Sequence, residues 1–284
     1  MIIAKSEAEL EVMAAAGAVV AAMHEVVSEA AVPGVSTARL DAIAEREIRN
    51  RGALPSFKGY RISHRVPPFP GTLCTSVNHQ IVHGVPSEDV VLRAGDLLKV
   101  DAGAIVEGYH ADSAVTWIIG DTATDAVRGL VAQTRAAMWE GLLAARVGAS
   151  LTDIGAAVEV RGRRAGYGVI SEYTGHGIGR ALHEDPPVPN VGPAGRGPRL
   201  RNGIALAVEP MFTLGAAHSD VDEDGWTVVS ADGSLSAHWE HTVAVTEHGP
   251  RILTARSDEP AWPDAEPGRV PGRRAPVAGS RRPR

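Results

Sequence analysis

Five residues of this chain carry the chemistry of a metal centre in places where packing has no use for them. Asp101 and Asp112 lie in KVDAGAIVEGYHADSAVTW, two apolar runs that each hold one aspartate. A four-residue turn at 105–108 would join the runs as antiparallel strands and set Asp101 directly opposite Asp112 on one face. Two carboxylates so placed among buried apolar residues repel each other and are costly to desolvate, so they require a cation, a shared proton or a basic partner. His176 stands in TGHGIG, where the flanking glycines let backbone approach closely and leave the imidazole uncrowded. Glu209 ends the apolar run IALAVEP, and Glu240 interrupts the run around Trp239, Val243 and Val245; a buried strand has no packing use for glutamate. No lysine follows Lys99, and no arginine is singled out as a partner for these acids.

Taken singly, each of these acids reads more readily as half of a structural ion pair. Together they are four carboxylates and one imidazole, too much negative charge for one divalent ion. Two ions sharing bridging carboxylates balance it, and an oxygen-rich set with one nitrogen suits Mn, Fe, Co or Zn rather than a structural zinc. Such a pair of ions supports attack of water on a carbonyl.

The elements that must position these residues follow from periodicity. Apolar positions at helical spacing run over 5–31 and end at Pro33-Gly34; a second helix starts at Ser36 and closes at Gly52. An irregular, proline-rich connection with Phe57, Tyr60 and Phe69 leads through LCTSVNHQIVHGVP to the aspartate hairpin. The pattern then restarts, with a helix over about 122–146 and another capped by Ser150 with Asp153 three residues on. Sliding the chain by 114 residues sets Gly34, Ser36, Leu40, Ala42, Glu45 and Gly52 over Gly148, Ser150, Ile154, Ala156, Glu159 and Gly166. This hints at an internal duplication with a site between the halves. The second half continues with a Pro/Gly-rich loop over 186–203, the strand IALAVEPMFTL and a hairpin-like pair.

The motifs CTSVNHQIVHGVP, KVDAGAIVEGYHADSAVT, YTGHGIGRALHEDP, AVEPMFTLG and DGWTVVSADGSLSAHWEHT resemble those of the type I methionine aminopeptidases, over about residues 1–254. The resemblance implies an α+β pita-bread fold, a pseudo-two-fold antiparallel sheet covered by two pairs of helices. It implies two divalent metal ions (Co, Mn, Fe or Zn) on Asp101, Asp112, His176, Glu209 and Glu240, with Asp112 and Glu240 bridging. It places His83 and His183 against the substrate, gives Glu209 the proton transfer, and walls the methionine pocket with Cys74, Tyr60, Phe69, Leu182 and Trp226. The substrate implied is the N-terminal methionine of nascent peptides with a small second residue. Three features depart from the family pattern. RISHRVPP, residues 61–68, is inserted between Tyr60 and Phe69, and Leu182 and Val191 stand where relatives carry larger residues. No zinc-binding extension precedes the catalytic region, as in the short bacterial form. The alternatives are an Xaa-Pro aminopeptidase or prolidase of the same fold, which usually carries a large N-terminal domain, and a non-enzymatic pita-bread protein, which would have lost ligands.

Composition agrees with an enzyme-sized domain: 284 residues, 44% hydrophobic and 22% charged. The formal charge of -6 is uneven, because residues 256–284 hold seven arginines against four acids and leave the remainder at -9. The Pro/Gly/Arg-rich stretch 255–284 is expected to be a disordered tail. Its charge would suit an RNA-rich partner such as the ribosome, although a solvated extension is the simpler reading. Cys74, the lone cysteine, fits a reducing compartment, and the apolar helix face over 12–23 is too short for a bilayer. The expectation is a cytoplasmic monomer without membrane contact.

Overall fold

The computed structural model describes residues 1–120, 122–257 and 259. The first half begins with α1 (Glu7–Ala30) and α2 (Thr37–Asn50). Ser6 and Glu9 cap α1 reciprocally, and Ser36 accepts the Arg39 amide at the start of α2. The strands that follow are β1 (Leu54–Pro55), β2 (Cys74–Val77), β3 (Gln80–Val82), β4 (Leu97–Val106) and β5 (Tyr109–Ile118). The second half repeats the plan with α3 (Asp125–Ala144), α4 (Thr152–Arg164), β6 (Gly168–Val169), β7 (Gly175–Gly177), β8 (Glu184–Val188) and β9 (Ala205–Val208). It closes with β10 (Met211–Thr213), β11 (Ser219–Val221), β12 (Val228–Ser230), β13 (Ser236–His238), β14 (His241–Thr246) and β15 (Gly249–Ile252).

The two halves correspond in backbone detail at the 114-residue offset. Ala31 and Ala145 end α1 and α3 with ψ of 73° and 68°. Gly34 and Gly148 have φ of 93° and 85°, and Gly52 and Gly166 have φ of 76° and 79°, a left-handed conformation that only glycine adopts without strain. Ser36 and Ser150 each form an isolated antiparallel bridge, to Val91 and Arg199. The α1/α2 pair covers β4 and β5, while α3 and α4 pack together over β9, β10 and β13.

The strands form four registered groups, β1-β4-β2 with β5 on β4, β13-β10-β6, β11-β12-β3, and β15-β14-β9-β7-β8. Between β5 and the β13–β14 segment the halves are stitched largely by hydroxyls. Thr242 Oγ1 accepts from the Asp112 amide at 2.9 Å and donates to its carbonyl at 2.8 Å, and Thr116 does the same for His238 at 2.9 and 2.6 Å. Backbone bonds in both directions between Ala114 and Glu240 complete the seam.

Five expectations change. The hairpin turn is the two-residue Glu107-Gly108, both at positive φ, so Val106 pairs with Tyr109, Asp101 with Ala114, and Asp112 with Gly103. Asp101 and Asp112 are therefore diagonal rather than direct neighbours, still on one face because side chains alternate with period two. The Ser150 cap is half formed: its amide donates to Asp153 Oδ2 at 2.8 Å, but the helix starts at Thr152 after Leu151, with no side-chain cap bond. IALAVEPMFTL breaks at Glu209-Pro210 into β9 and β10, and the 186–203 loop gives its first residues to β8. Finally, α1 is long and apolar enough to cross a membrane, contrary to the length argument. Met13, Val20, Met23 and Val27 are instead fully buried, as in a core helix.

Beyond the expected 254/255 boundary, Arg256 and Glu259 pack against the body. Arg256 is 8% exposed and the Glu259 side chain 1%. The Arg256 guanidinium donates to Ser113 Oγ at 2.7 Å and to Glu259 at 2.8 Å, and Glu259 lies 3.0 Å from His241 Nε2. Burial pushes the Glu259 carboxyl up, yet His241 and Arg256 overcome it and hold the group well below its usual range. The rest of the expected tail, and with it the ribosome reading, lies outside the described residues.

Candidate active site

Asp101 and Asp112 come from β4 and β5, His176 from β7, Glu209 from the break after β9 and Glu240 from the turn before β14. The first two belong to one half and the other three to the second, so the site sits on the seam. His176 reaches it because its strand is squeezed between neighbours: a Cβ on Gly175 would lie 2.3 Å from the Ala207 carbonyl oxygen, and one on Gly177 2.1 Å from that of Asp185. The Asn190 amide, by donating to the Glu209 carbonyl at 3.2 Å, holds the backbone where the strand breaks.

Asp101 Oδ1, Asp112 Oδ1 and Glu240 Oε1 are buried without a hydrogen-bond partner among the described residues. Ligand atoms of Asp112, His176 and Glu240 all lie within 4.8 Å of one another. Burial, reinforced by Asp112 and Glu209, pushes the Asp101 carboxyl well above the carboxylate range. Glu209 and Glu240 are raised in the same way by burial and by Asp112. Asp112 is raised by burial to about 7, against hydrogen bonds from Asp101 and Ser113 that lower it. Burial acts oppositely on the imidazoles, taking His176 to about 3 and His83 to about 4. His176 therefore presents a neutral ring; its Nδ1, 2.9 Å from the Gly177 carbonyl, carries the proton, which leaves the Nε2 lone pair facing Glu209 Oε1 at 3.6 Å. Two acceptors facing each other, beside three unpartnered carboxylate oxygens, is the arrangement a divalent cation resolves, and this donor set fits one. No lysine or arginine lines the cavity among the described residues.

The cavity, about 230 Å³, is lined by Asp101, Asp112, His176, Glu209 and Glu240 on its polar side, with His83 and His183 beside them. Tyr60, Phe69, Cys74, Leu182 and Trp226 line the rest, so all twelve residues expected from sequence come together. Tyr60 and Phe69 flank the 61–68 insertion and are joined across its base, the Phe69 amide donating to the Tyr60 carbonyl at 2.8 Å. The insertion is thus a closed excursion that leaves both aromatic rings in the wall. Trp226 meets Phe69 edge to face at 5.2 Å and donates its indole N–H to Pro67 of the insertion at 3.0 Å. The Tyr60 hydroxyl lies 2.8 Å from His183 Nδ1. Val191 packs under α4 and does not line the cavity.

Sequence reading missed three residues. Phe57 and Ile62 also line the cavity, with Ile62, 58% exposed, at its mouth. An aromatic on an irregular loop and an aliphatic in an insertion carry no signal of their own. The third, His238, lies with Nε2 3.7 Å from Glu209 Oε2 and is 1% exposed.

Comparison with known proteins places this geometry in a family. The profile of metallopeptidase family M24 matches residues 11–247. Methionine aminopeptidase 1 of Mycobacterium tuberculosis is 48% identical over 256 residues, 88% of this chain and 94% of that one. The crystal structure of methionine aminopeptidase from Thermotoga maritima superposes with a TM-score of 0.86 at 38% identity, over 90% of this chain and all of the other. The prolidase from Pyrococcus furiosus shares the fold, with a TM-score of 0.72 at 22% identity over 89% of this chain and 65% of its own. The chain has the pita-bread fold and belongs to metallopeptidase family M24, among its methionine aminopeptidases.

Proposed function

We propose that the protein removes N-terminal methionine from peptides with a small second residue, using two divalent ions held by Asp101, Asp112, His176, Glu209 and Glu240. The observation that carries this reading is the convergence, in one cavity, of three unpartnered buried carboxylate oxygens with a wall of apolar and aromatic side chains. Asp112 and Glu240, whose ligand atoms lie close together across the seam, would bridge the ions; Asp101 would hold one, and His176 with Glu209 the other. Co, Mn, Fe or Zn all suit these donors. When bound, the ions would polarise the scissile carbonyl and lower the pKa of water.

The remaining roles fall to side chains of this protein. The methionine thioether would lie against Tyr60, Phe69, Cys74, Leu182 and Trp226, soft and aromatic surfaces that suit it. If the Tyr60 hydroxyl donates to Nδ1, His183 carries its proton on Nε2 and offers it to a carbonyl or amide of the second residue. His83, with φ of 59° and its ring edge-on to Tyr173 at 5.8 Å, is kept neutral by burial and would face the scissile amide. A residue that is not glycine holds this conformation only under constraint, as at sites where position matters. Glu209 would take a proton from water and return it to the departing amine, a transfer within reach of a carboxyl whose burial raises its proton affinity.

We read the protein as one of a reducing compartment such as the cytoplasm, on the strength of its single buried cysteine. A panel of Met-Ala-Ser, Met-Leu-Ser, Leu-Ala-Ser and Ala-Pro-Ser tests the assignment: release of methionine from the first alone supports it, whereas preferential cleavage before proline would support a prolidase.

A further inference from the structure

Glu209 presents its two oxygens to two imidazoles. Oε1 faces His176 Nε2 at 3.6 Å, and Oε2 faces His238 Nε2 at 3.7 Å. The imidazoles differ in what holds their other nitrogen. His176 is fixed through Nδ1 by the Gly177 carbonyl, so its Nε2 meets the carboxylate as a lone pair. His238 has no hydrogen-bond partner at either ring nitrogen among the described residues, although it is only 1% exposed. An unsatisfied buried polar group costs about 1–3 kcal/mol, so such a residue implies a partner close by. Its backbone is clamped in both directions by Thr116, so the ring has little freedom to search elsewhere. An imidazole in either tautomer carries at least one N–H, which has to find an acceptor.

We infer that His238 is a positioning residue for Glu209: its Nε2–H donates to Oε2, so that Oε1 alone is turned toward His176 and the ion those two residues would share. His238 does not line the cavity that Glu209 and His176 line, and so stands behind the carboxylate rather than beside the ion. Closing the 3.7 Å separation to a hydrogen bond takes a shift of about 0.7 Å. Hydrogen bonds of this kind orient ligating carboxylates, and their loss lowers metal affinity by about 10- to 100-fold. The inference rests on the two-ion reading above. It assigns His238 to one ion and leaves the other, near Asp101, unaffected.

Co(II) titration of the metal-free protein, followed by calorimetry and visible absorption, tests it with two substitutions of similar volume. His238→Met removes the donor, and His238→Gln keeps an N–H that can reach the same oxygen. The expected result is two binding steps in the wild type, one of them weakened about 10- to 100-fold in His238→Met and largely restored in His238→Gln. Equal affinities in both variants, whether unchanged or weakened on both steps, would overturn the inference while leaving the two-ion reading intact. A wild-type protein that binds no Co(II) would overturn both.

Discussion

The acidic cluster implies that a substitution abolishing catalysis stabilises the metal-free protein. Asp112 is 4% exposed, and burial raises its carboxyl to about 7 from an ordinary value of 3.8. A raised folded-state pKa means that the folded protein keeps a proton which the unfolded chain releases. The associated stability is fully present below about pH 4 and is lost as pH rises through about 7. At about 1.4 kcal/mol per unit, the full loss is on the order of 4 kcal/mol, of which about 2.5 kcal/mol falls between pH 5 and pH 8. Asp112→Asn cannot ionise, and it relieves the repulsion that Asp112 exerts on Asp101, Glu209 and Glu240. Urea unfolding of metal-free wild type and Asp112→Asn at pH 5 and pH 8 measures this directly. The difference in unfolding free energy should move in favour of the variant by about 2.5 kcal/mol or more from pH 5 to pH 8. The comparison across pH cancels any constant effect of the amide. An identical difference at the two pH values would show that Asp112 does not stand in an uncompensated cluster.

Two further perturbations separate the pocket from the scaffold. Leu182→Trp fills the apolar side of the cavity, so KM for methionine peptides should rise by about tenfold or more while Co(II) affinity stays at the wild-type value; a parallel loss of metal would place Leu182 in the wrong role. Arg256→Ala removes the nearer guanidinium partner of buried Glu259, leaving it Arg135 at 3.3 Å and His241 at 3.0 Å, and should cost about 1–3 kcal/mol in urea unfolding. A cost below about 1 kcal/mol would mean that Arg256 and Glu259 are not part of the folded body.

Much of this organisation is legible from sequence because the signals are local. The Ser36 cap and the glycines closing each helical unit occur where the backbone needs them. The four acids and one imidazole stand out because charge inside apolar runs demands compensation. Other features depend on contacts that no local pattern encodes. The hairpin register turned on whether Glu107 accepts a positive φ of 48°, an uncommon conformation for glutamate. His238, one polar residue in SAHWEHT, acquires meaning only when β13 brings it to Glu209. Arg256 lies among residues whose composition reads as a solvated tail, and it is the partnership with Ser113, His241 and Glu259 that draws it inside.

The central claim is that the cluster acts by holding metal ions in service of methionine removal. Its most direct measurement is turnover of Met-Ala-Ser by protein stripped with chelator, then titrated with Mn(II) or Co(II). The account predicts no methionine release from the stripped protein, recovery as ions are restored, and no recovery in Asp112→Ala that remains folded by circular dichroism. Full-rate release from the stripped protein, or from Asp112→Ala, would contradict it.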